Sequence, residues 1–289
     1  MRKTVLAWIG AALMPALVVL PARGADGVHR RSPCLGYLVL DVDNGKVLRS
    51  ENSSAEAYPA SCTKLMTAHL VYRAMRCGRL KLTDRLTQSD RSNRESPSRL
   101  DLKPGETITV DDAMKALMLK SANDVAVMFA EKVGGSVENF VDLMNEEARR
   151  LGMTHTRYVT PNGLPPPKGS KRGFDRSTAQ DLAKLASVLL RESPEILDYT
   201  SLASVTIAGR EGKPIWLQNH NNILWKRGFK VDGADGLKTG YNNAGGSSIV
   251  LTGRRGGHRA VVVVLGSNSA AERDTLAGQL LEDALMRLE

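Results

Sequence analysis

The sequence predicts an α/β chain of the α+β kind, in which one antiparallel sheet, built from both chain ends, receives an inserted helical lobe. Three observations carry that expectation. Apolar and polar residues alternate from Gly36 to Ser50 around Asn44-Gly45, a strong short hairpin signal. Between that hairpin and residue 202 only one short strand pattern, Thr107 to Val110, occurs, and the stretch otherwise reads as helices with cap and stop residues. Strands at both ends of a helical middle make one sheet when that middle is an insertion.

Taken in order, the chain opens with a leader. Arg2 and Lys3 precede an apolar run from Val5 to Leu20, and Ala22-Arg23-Gly24 supplies small residues before Ala25. This is the pattern of a signal peptide over residues 1–24, with an apolar run shorter than the roughly 20 residues of a membrane span. Residues 25–289 are expected to form a single domain, with a sheet lobe at about 30–58 and 200–289 and a helical lobe at about 59–199. After the hairpin, Pro59-Ala60 leads to a helix from Ser61 to about Cys77, closed by Gly78. Gln88 to Arg99 is polar and reads as a surface loop or lid. A short strand, Thr107 to Val110, precedes a helical pattern from Asp111 to Val133 that is interrupted near Ser121-Ala122-Asn123. Another helix spans about Ser136 to Leu151, and Pro161 to Ser170 is a Pro/Gly-rich loop. Ser177-Thr178-Ala179-Gln180 reads as a capping box opening a helix to about Arg191. Strands follow at Ala203–Ala208, Leu237–Thr239, Ser247–Gly253 and Arg259–Gly266, and a helix from about Ala271 to Leu288 ends the chain.

Composition excludes several classes. Formal charge is +9; Arg2, Lys3 and Arg23 of the leader account for three cations and no acid, which leaves +6. That balance suits an anionic polymer or a membrane surface. Aromatics at 4% without zinc spacing or an Arg-rich tract argue against nucleic acid. Three cysteines, Cys34, Cys62 and Cys77, give no even disulfide framework; buried free thiols are expected, with one disulfide left open. His69, His155, His220 and His258 lack metal spacing and read as structural or surface residues. Asp41 and Asp43 flank the hairpin turn and read as turn chemistry. No cofactor or metal is expected.

Three strings carry chemistry: Ser61-Cys62-Thr63-Lys64, Ser121-Ala122-Asn123 and Lys238-Thr239-Gly240, in that order. A serine with a lysine three residues later shares one helical face with it. Desolvated beside other cations, such a lysine loses its proton and activates the hydroxyl. Together the strings describe serine acyl transfer without a catalytic histidine, and they follow the S-x-x-K, S-D-N and K-T-G set of penicillin-binding proteins and class A β-lactamases. Cys62 points off the face that Ser61 and Lys64 share, so it is given no catalytic role.

The flanking residues sharpen this. Pro59 to Thr67, Lys120 to Asp124, Asn162-Gly163-Leu164-Pro165, Ser177 to Ala183 and Asp235 to Gly240 resemble the low-molecular-mass penicillin-binding proteins, the serine D-Ala-D-Ala carboxypeptidases of peptidase family S11. The resemblance runs from about Gly36 to the chain end. It implies a β-lactamase/transpeptidase-like fold, periplasmic location, removal of terminal D-alanine from peptidoglycan pentapeptide stems, and stable acyl-enzymes with β-lactam antibiotics. It also implies roles: Ser61 as nucleophile, Lys64 as general base, Ser121 as proton relay to the leaving amine, and Asn123 as holder of the substrate amide or of Lys64. Lys238 and Thr239 would lie on an edge strand that pairs with substrate. Gly240 would let the peptide approach, and the N–H groups of Ser61 and Tyr241 would form the oxyanion hole. Arg273, seven residues after Gly266, would bind the free substrate carboxylate.

There are departures. Cys62 stands where methionine is usual, and Asn242 where threonine often follows. Family members that carry a β-rich second domain and an amphipathic anchor extend beyond what is seen here, so neither a C-terminal β domain nor a stable anchor is expected. That leaves a soluble DD-endopeptidase acting on crosslinks as the alternative. A class A-like β-lactamase ranks lower because the loop around Asn162–Pro165 has no glutamate. An inactive muropeptide-binding protein ranks lower because the nucleophile and its base are intact.

Overall fold

The computed structural model describes residues 33–169, 171–209 and 213–288, so the expected leader lies outside the described residues. Strands β1 (Gly36–Asp41) and β2 (Val47–Glu51) form the first hairpin. In its turn the Asp43 N–H donates to Asp41 Oδ1 and Gly45 takes φ +75°. A 3-10 turn, Ala60–Thr63, leads into α1 (Lys64–Arg76). Ser61 therefore sits in the tight turn ahead of the α-helix, not on its first residue, as 3-10 entry turns allow.

Short strands β3 (Arg85–Thr87) and β4 (Thr107–Thr109) pair with each other. The segment between them is anchored, not a free lid: Gln88 and Ser92 are buried, Ser89 Oγ donates to Glu131, and Arg91 pairs with Glu138. Helix α2 (Val110–Lys115) runs into a π-helical turn, Ala116–Lys120, and breaks at Ser121 before α3 (Asn123–Gly134). Ser136 caps α4 (Val137–Arg150) by accepting from the Asn139 N–H. Helix α5 (Ala179–Glu192) is capped by Thr178, whose hydroxyl accepts from the Asp181 N–H. The Ser177–Gln180 box is thus displaced by one residue, because Ser177 is held in a β-bridge with Ala57.

After the short α6 (Leu197–Thr200), strands β5 (Ser204–Ala208) and β6 (Pro214–Gln218) form their own two-stranded sheet. The expected strand near Ala203–Ala208 is real, yet it does not join the main sheet. Its inward residue Ile207, with Leu217 of β6, packs into the core of the helices. Strands β7 (Ala234–Asn242), β8 (Gly246–Arg255) and β9 (His258–Ser267) precede α7 (Ala270–Leu288).

The main sheet is antiparallel in the order β2-β1-β9-β8-β7. Its centre explains the apolar run Ala260–Leu265. Val261, Val263 and Leu265 enter the core shared with the helices, while Ala260, Val262 and Val264 pack on the α7 side. Period-two alternation normally yields one wet face; a strand covered on both faces reads as continuous apolar sequence. Each fully buried valine there contributes about 1.5–2 kcal/mol. Strand β7 is left at the sheet edge beside the 3-10 turn that bears Ser61.

All three cysteines are free thiols; Cys34 and Cys62 are buried, whereas Cys77 is exposed at the end of α1, contrary to the expectation of burial. Among the described residues no helix is long and apolar enough to cross a membrane.

Candidate active site

Two left-handed residues shape the entry to the site. Ala60 (φ +49°) turns the chain into the 3-10 turn, and Ser121 (φ +61°) breaks the helical run. Such conformations in non-glycine residues are costly and persist where surrounding contacts hold them. The break at Ser121 is clamped by Ser98, whose Oγ donates to the Lys120 carbonyl and whose own carbonyl accepts from the Asn123 N–H. Ser121 Oγ is buried and has no hydrogen-bond partner among the described residues.

Lys64 is fully buried and its Nζ lies 3.0 Å from Ser61 Oγ, 2.7 Å from Asn123 Oδ1 and 2.6 Å from the Asn162 carbonyl. Burial, followed by the charge of Lys238, holds its pKa well below the usual lysine range. A neutral amine has two N–H bonds and one lone pair. With the two N–H groups donated to Asn123 and Asn162, the lone pair is left for the Ser61 hydroxyl proton. The geometry would let Lys64 take the Ser61 hydroxyl proton.

The carbonyl of Asn162 is the component that sequence reading missed. It is positioned from behind by Asp175, a buried carboxylate accepting from the Val159 and Thr160 N–H groups, Thr160 Oγ1 and Thr63 Oγ1. From the side, Asn162 Nδ2 donates to Glu95 Oε2 at 2.9 Å. Gly163 (φ +82°) lies against the nucleophile turn, and a Cβ there would collide with the Ala60 carbonyl. Asn162-Gly163 was visible only within a Pro/Gly-rich loop and as part of the family resemblance; nothing local linked Glu95 or Asp175 to it.

On the facing wall, β7 presents Lys238 and Thr239, both buried. Burial, and secondarily Arg273, lower the Lys238 pKa to about 8. Cys62 Sγ lies 3.6 Å from the Lys238 carbonyl, and burial pushes this thiol up to about 11, so it stays protonated at neutral pH. Gly240 is needed for a reason other than the one expected. A Cβ would lie 2.5 Å from the Pro59 carbonyl and 3.2 Å from Cys62 Sγ, so glycine here lets β7 rest on the Ser61 turn. The Tyr241 side chain is exposed, with its hydroxyl donating to Asn243 Oδ1. Asn242 caps the β7–β8 turn by accepting from the Gly245 N–H.

Arg273 is on the first turn of α7 and is buried, not solvated. Its Nε and Nη2 hold Asp274 Oδ1 at 2.8 and 2.7 Å, and Asp274 accepts from Asn222 through its other oxygen. Its charge is felt by Lys238 and by Cys62. His69 is buried against Glu147. No group of three His, Cys, Asp or Glu suited to a metal occurs among the described residues.

Comparison with known proteins agrees with this geometry. The chain is 32% identical over 252 residues to the D-alanyl-D-alanine carboxypeptidase DacF of Bacillus subtilis, covering 87% of this chain and 62% of that one. It is 32% identical over 251 residues to DacC of Escherichia coli, covering 85% of this chain and 59% of that one. The chain thus spans about three fifths of the length of these relatives. The structure of penicillin-binding protein D2 from Listeria monocytogenes in its ampicillin-bound form superposes with a TM-score of 0.74 at 31% identity, over 88% of this chain and 98% of that one. Residues 32–269 match peptidase family S11, D-alanyl-D-alanine carboxypeptidase, and the chain belongs to that family.

Proposed function

We propose that this protein is a serine D-alanyl-D-alanine carboxypeptidase that trims peptidoglycan pentapeptide stems. The observation that carries the reading is the buried, depressed-pKa Lys64 at 3.0 Å from Ser61 Oγ, with both of its other hydrogen-bond directions occupied. Ser61 Oγ attacks the carbonyl between the two D-alanines as its proton passes to Lys64. The N–H groups of Ser61 and Tyr241 hold the oxyanion. Ser121 delivers a proton to the departing amine, D-alanine leaves, and water then hydrolyses the acyl-enzyme. Substrate pairs as an added strand on the edge of β7, with its free carboxylate toward Lys238, Thr239 and Arg273.

A β-lactam reacts by the same attack and stops at the acyl stage, in keeping with the ampicillin-bound Listeria structure. The leader composition supports export to the periplasm.

Residues 25–289, purified, should release free D-alanine from diacetyl-Lys-D-Ala-D-Ala and gain one penicillin mass on intact-protein spectrometry. Ser61→Ala should abolish both. Digestion of sacculi should remove pentapeptides while dimers persist; a fall in dimers would instead make the enzyme an endopeptidase.

A further inference from the structure

A cavity of about 920 Å³ opens beside the Lys64 cluster; it borders the reaction centre at Asn162 and Tyr241, and the rest of its lining takes no part in the chemistry above. One wall is the 91–97 segment, a second the 159–167 loop, and the third the end of β7 with its turn, Tyr241 to Ala244. Direction along β7 says what reaches it. With the substrate carboxylate at Lys238 and the scissile carbonyl beside Ser61 and Tyr241, a strand antiparallel to β7 runs its upstream residues past Tyr241. The residue before the two D-alanines therefore enters this cavity.

Its lining has a definite chemistry. Leu164, Phe174 and the prolines Pro165–Pro167 form an apolar surface, and three arginines face the space: Arg91, Arg94 and Arg172. Arg91 is neutralised by a two-pronged contact to Glu138 at 2.8 and 3.0 Å. Arg172 holds the loop through the Leu164 and Pro165 carbonyls. Arg94 is exposed and makes no ion pair with a carboxylate among the described residues. Glu95, the acid on the same wall, is engaged by Asn162 close to the reaction centre.

We infer that this cavity is a specificity subsite for the third stem residue. It favours an aliphatic side chain that ends in a carboxylate, as in diaminopimelate, over the bare ammonium of lysine, and Arg94 reads the carboxylate. A flexible hydrocarbon lies on the proline and leucine surface, and a planar guanidinium receives a carboxylate in two-point geometry. A terminal ammonium would meet an unpaired cation in the same place. The inference rests on the carboxypeptidase reading.

The test uses three acetyl-X-D-Ala-D-Ala peptides in which X is Nε-succinyl-lysine, Nε-acetyl-lysine or free lysine, ending respectively in an anion, a neutral group and a cation. The expected order of kcat/KM is succinyl, acetyl, free lysine, with about five- to tenfold between the extremes, the scale of a partly exposed charge contact. In Arg94→Gln the succinyl-to-lysine ratio should fall to about one, and in the wild type it should shrink as salt is raised. Equal rates on all three peptides, or a ratio that survives Arg94→Gln, overturns the subsite. Absence of cleavage of every peptide together with absence of a penicillin adduct overturns the carboxypeptidase reading, and this inference with it.

Discussion

Helix α1 carries two buried ionic clusters of opposite character. At its start, Lys64 hydrogen-bonds only neutral oxygens and sits within the field of a second buried lysine, Lys238. One turn and more further on, His69 and Arg73 converge with Arg150 on Glu147 of α4, a carboxylate that is 2% exposed. Burial alone would raise the Glu147 carboxyl, but Arg150, His69 and Arg73 hold it at about 2. Both clusters lose hydration. In the second, opposite charges in direct contact return that loss and the cluster braces α1 against α4; in the first, burial and the like charge of Lys238 outweigh the more distant Asp175 and Glu95, and the amine is driven toward its neutral form. The contrast teaches that a buried charge in contact with its counter-ion braces the fold, whereas one held only by neutral oxygens is free to lose its proton.

The largest test removes the reactive member. Lys64→Gln should lower the rate of penicillin acylation by roughly 10³–10⁴-fold, the scale of a lost general base, while the protein stays folded. In the wild type the base works only when neutral, so acylation should rise with pH and level off well below the ordinary lysine pKa of 10.5. That acid limb should be missing in Lys64→Gln, and its persistence would place the base elsewhere.

Next in size is the joint between the two halves of the site. Gly163→Ala brings a methyl group onto the Ala60 carbonyl in a left-handed conformation. The expected cost is about 3 kcal/mol or more in urea unfolding, with penicillin labelling slowed because the Asn162 carbonyl moves. A variant of native stability and labelling rate would show that the turn relaxes freely.

Breaking the paired cluster should affect stability and spare chemistry. Glu147→Gln is expected to cost about 2–3 kcal/mol, roughly 5–10 °C in Tm, with acylation little changed. The pH dependence gives the sign. The folded-state pKa lies below the ordinary 4.5, so this stabilisation is complete above pH 4.5 and is lost as pH falls toward about 2. Thermal scans across that window should show a steeper acid decline in the wild type than in Glu147→Gln.

The smallest effect has the opposite sign. Lys238→Met removes a buried cation that, among the described residues, donates only to the Thr239 carbonyl and should raise stability at pH 7 by about 1–2 kcal/mol while impairing turnover. Because the folded pKa of about 8 is below 10.5, the unfolded chain binds more protons between those values. Wild-type stability should therefore rise across pH 8 to 10.5, and the variant should lack that rise. A lower Tm in Lys238→Met at pH 7 would mean that the lysine is paired after all.

Much of this was legible because it is local. The hairpin at Asn44-Gly45, the helix break at Ser121 and the one-turn spacing of Ser61 and Lys64 are properties of a few consecutive residues, and each is present in the structure. Strand patterns at the two chain ends likewise foretold one sheet with helices between. The Ser177 capping box failed by one residue because Ser177 is drawn into a bridge with Ala57, 120 positions earlier, which no window of sequence contains. The strand at Ala203–Ala208 was grouped with the main sheet, and its partner β6 went unread, for a similar reason: alternation shows that a strand has an inner face, not which core receives it.

What the sequence by itself determined is the set of candidate groups and their order, since side-chain chemistry and turn spacing are written residue by residue. Tertiary structure alone decided how those groups behave. The Asn162 carbonyl reaches Lys64 from 98 positions away, Gly240 is required by the Pro59 carbonyl, and Arg273 arrives already holding Asp274. The depressed basicity of Lys64 belongs to the same class. Desolvation and Coulomb interaction depend on distance and on excluded water, and both are set only when the helical lobe closes on the edge of β7.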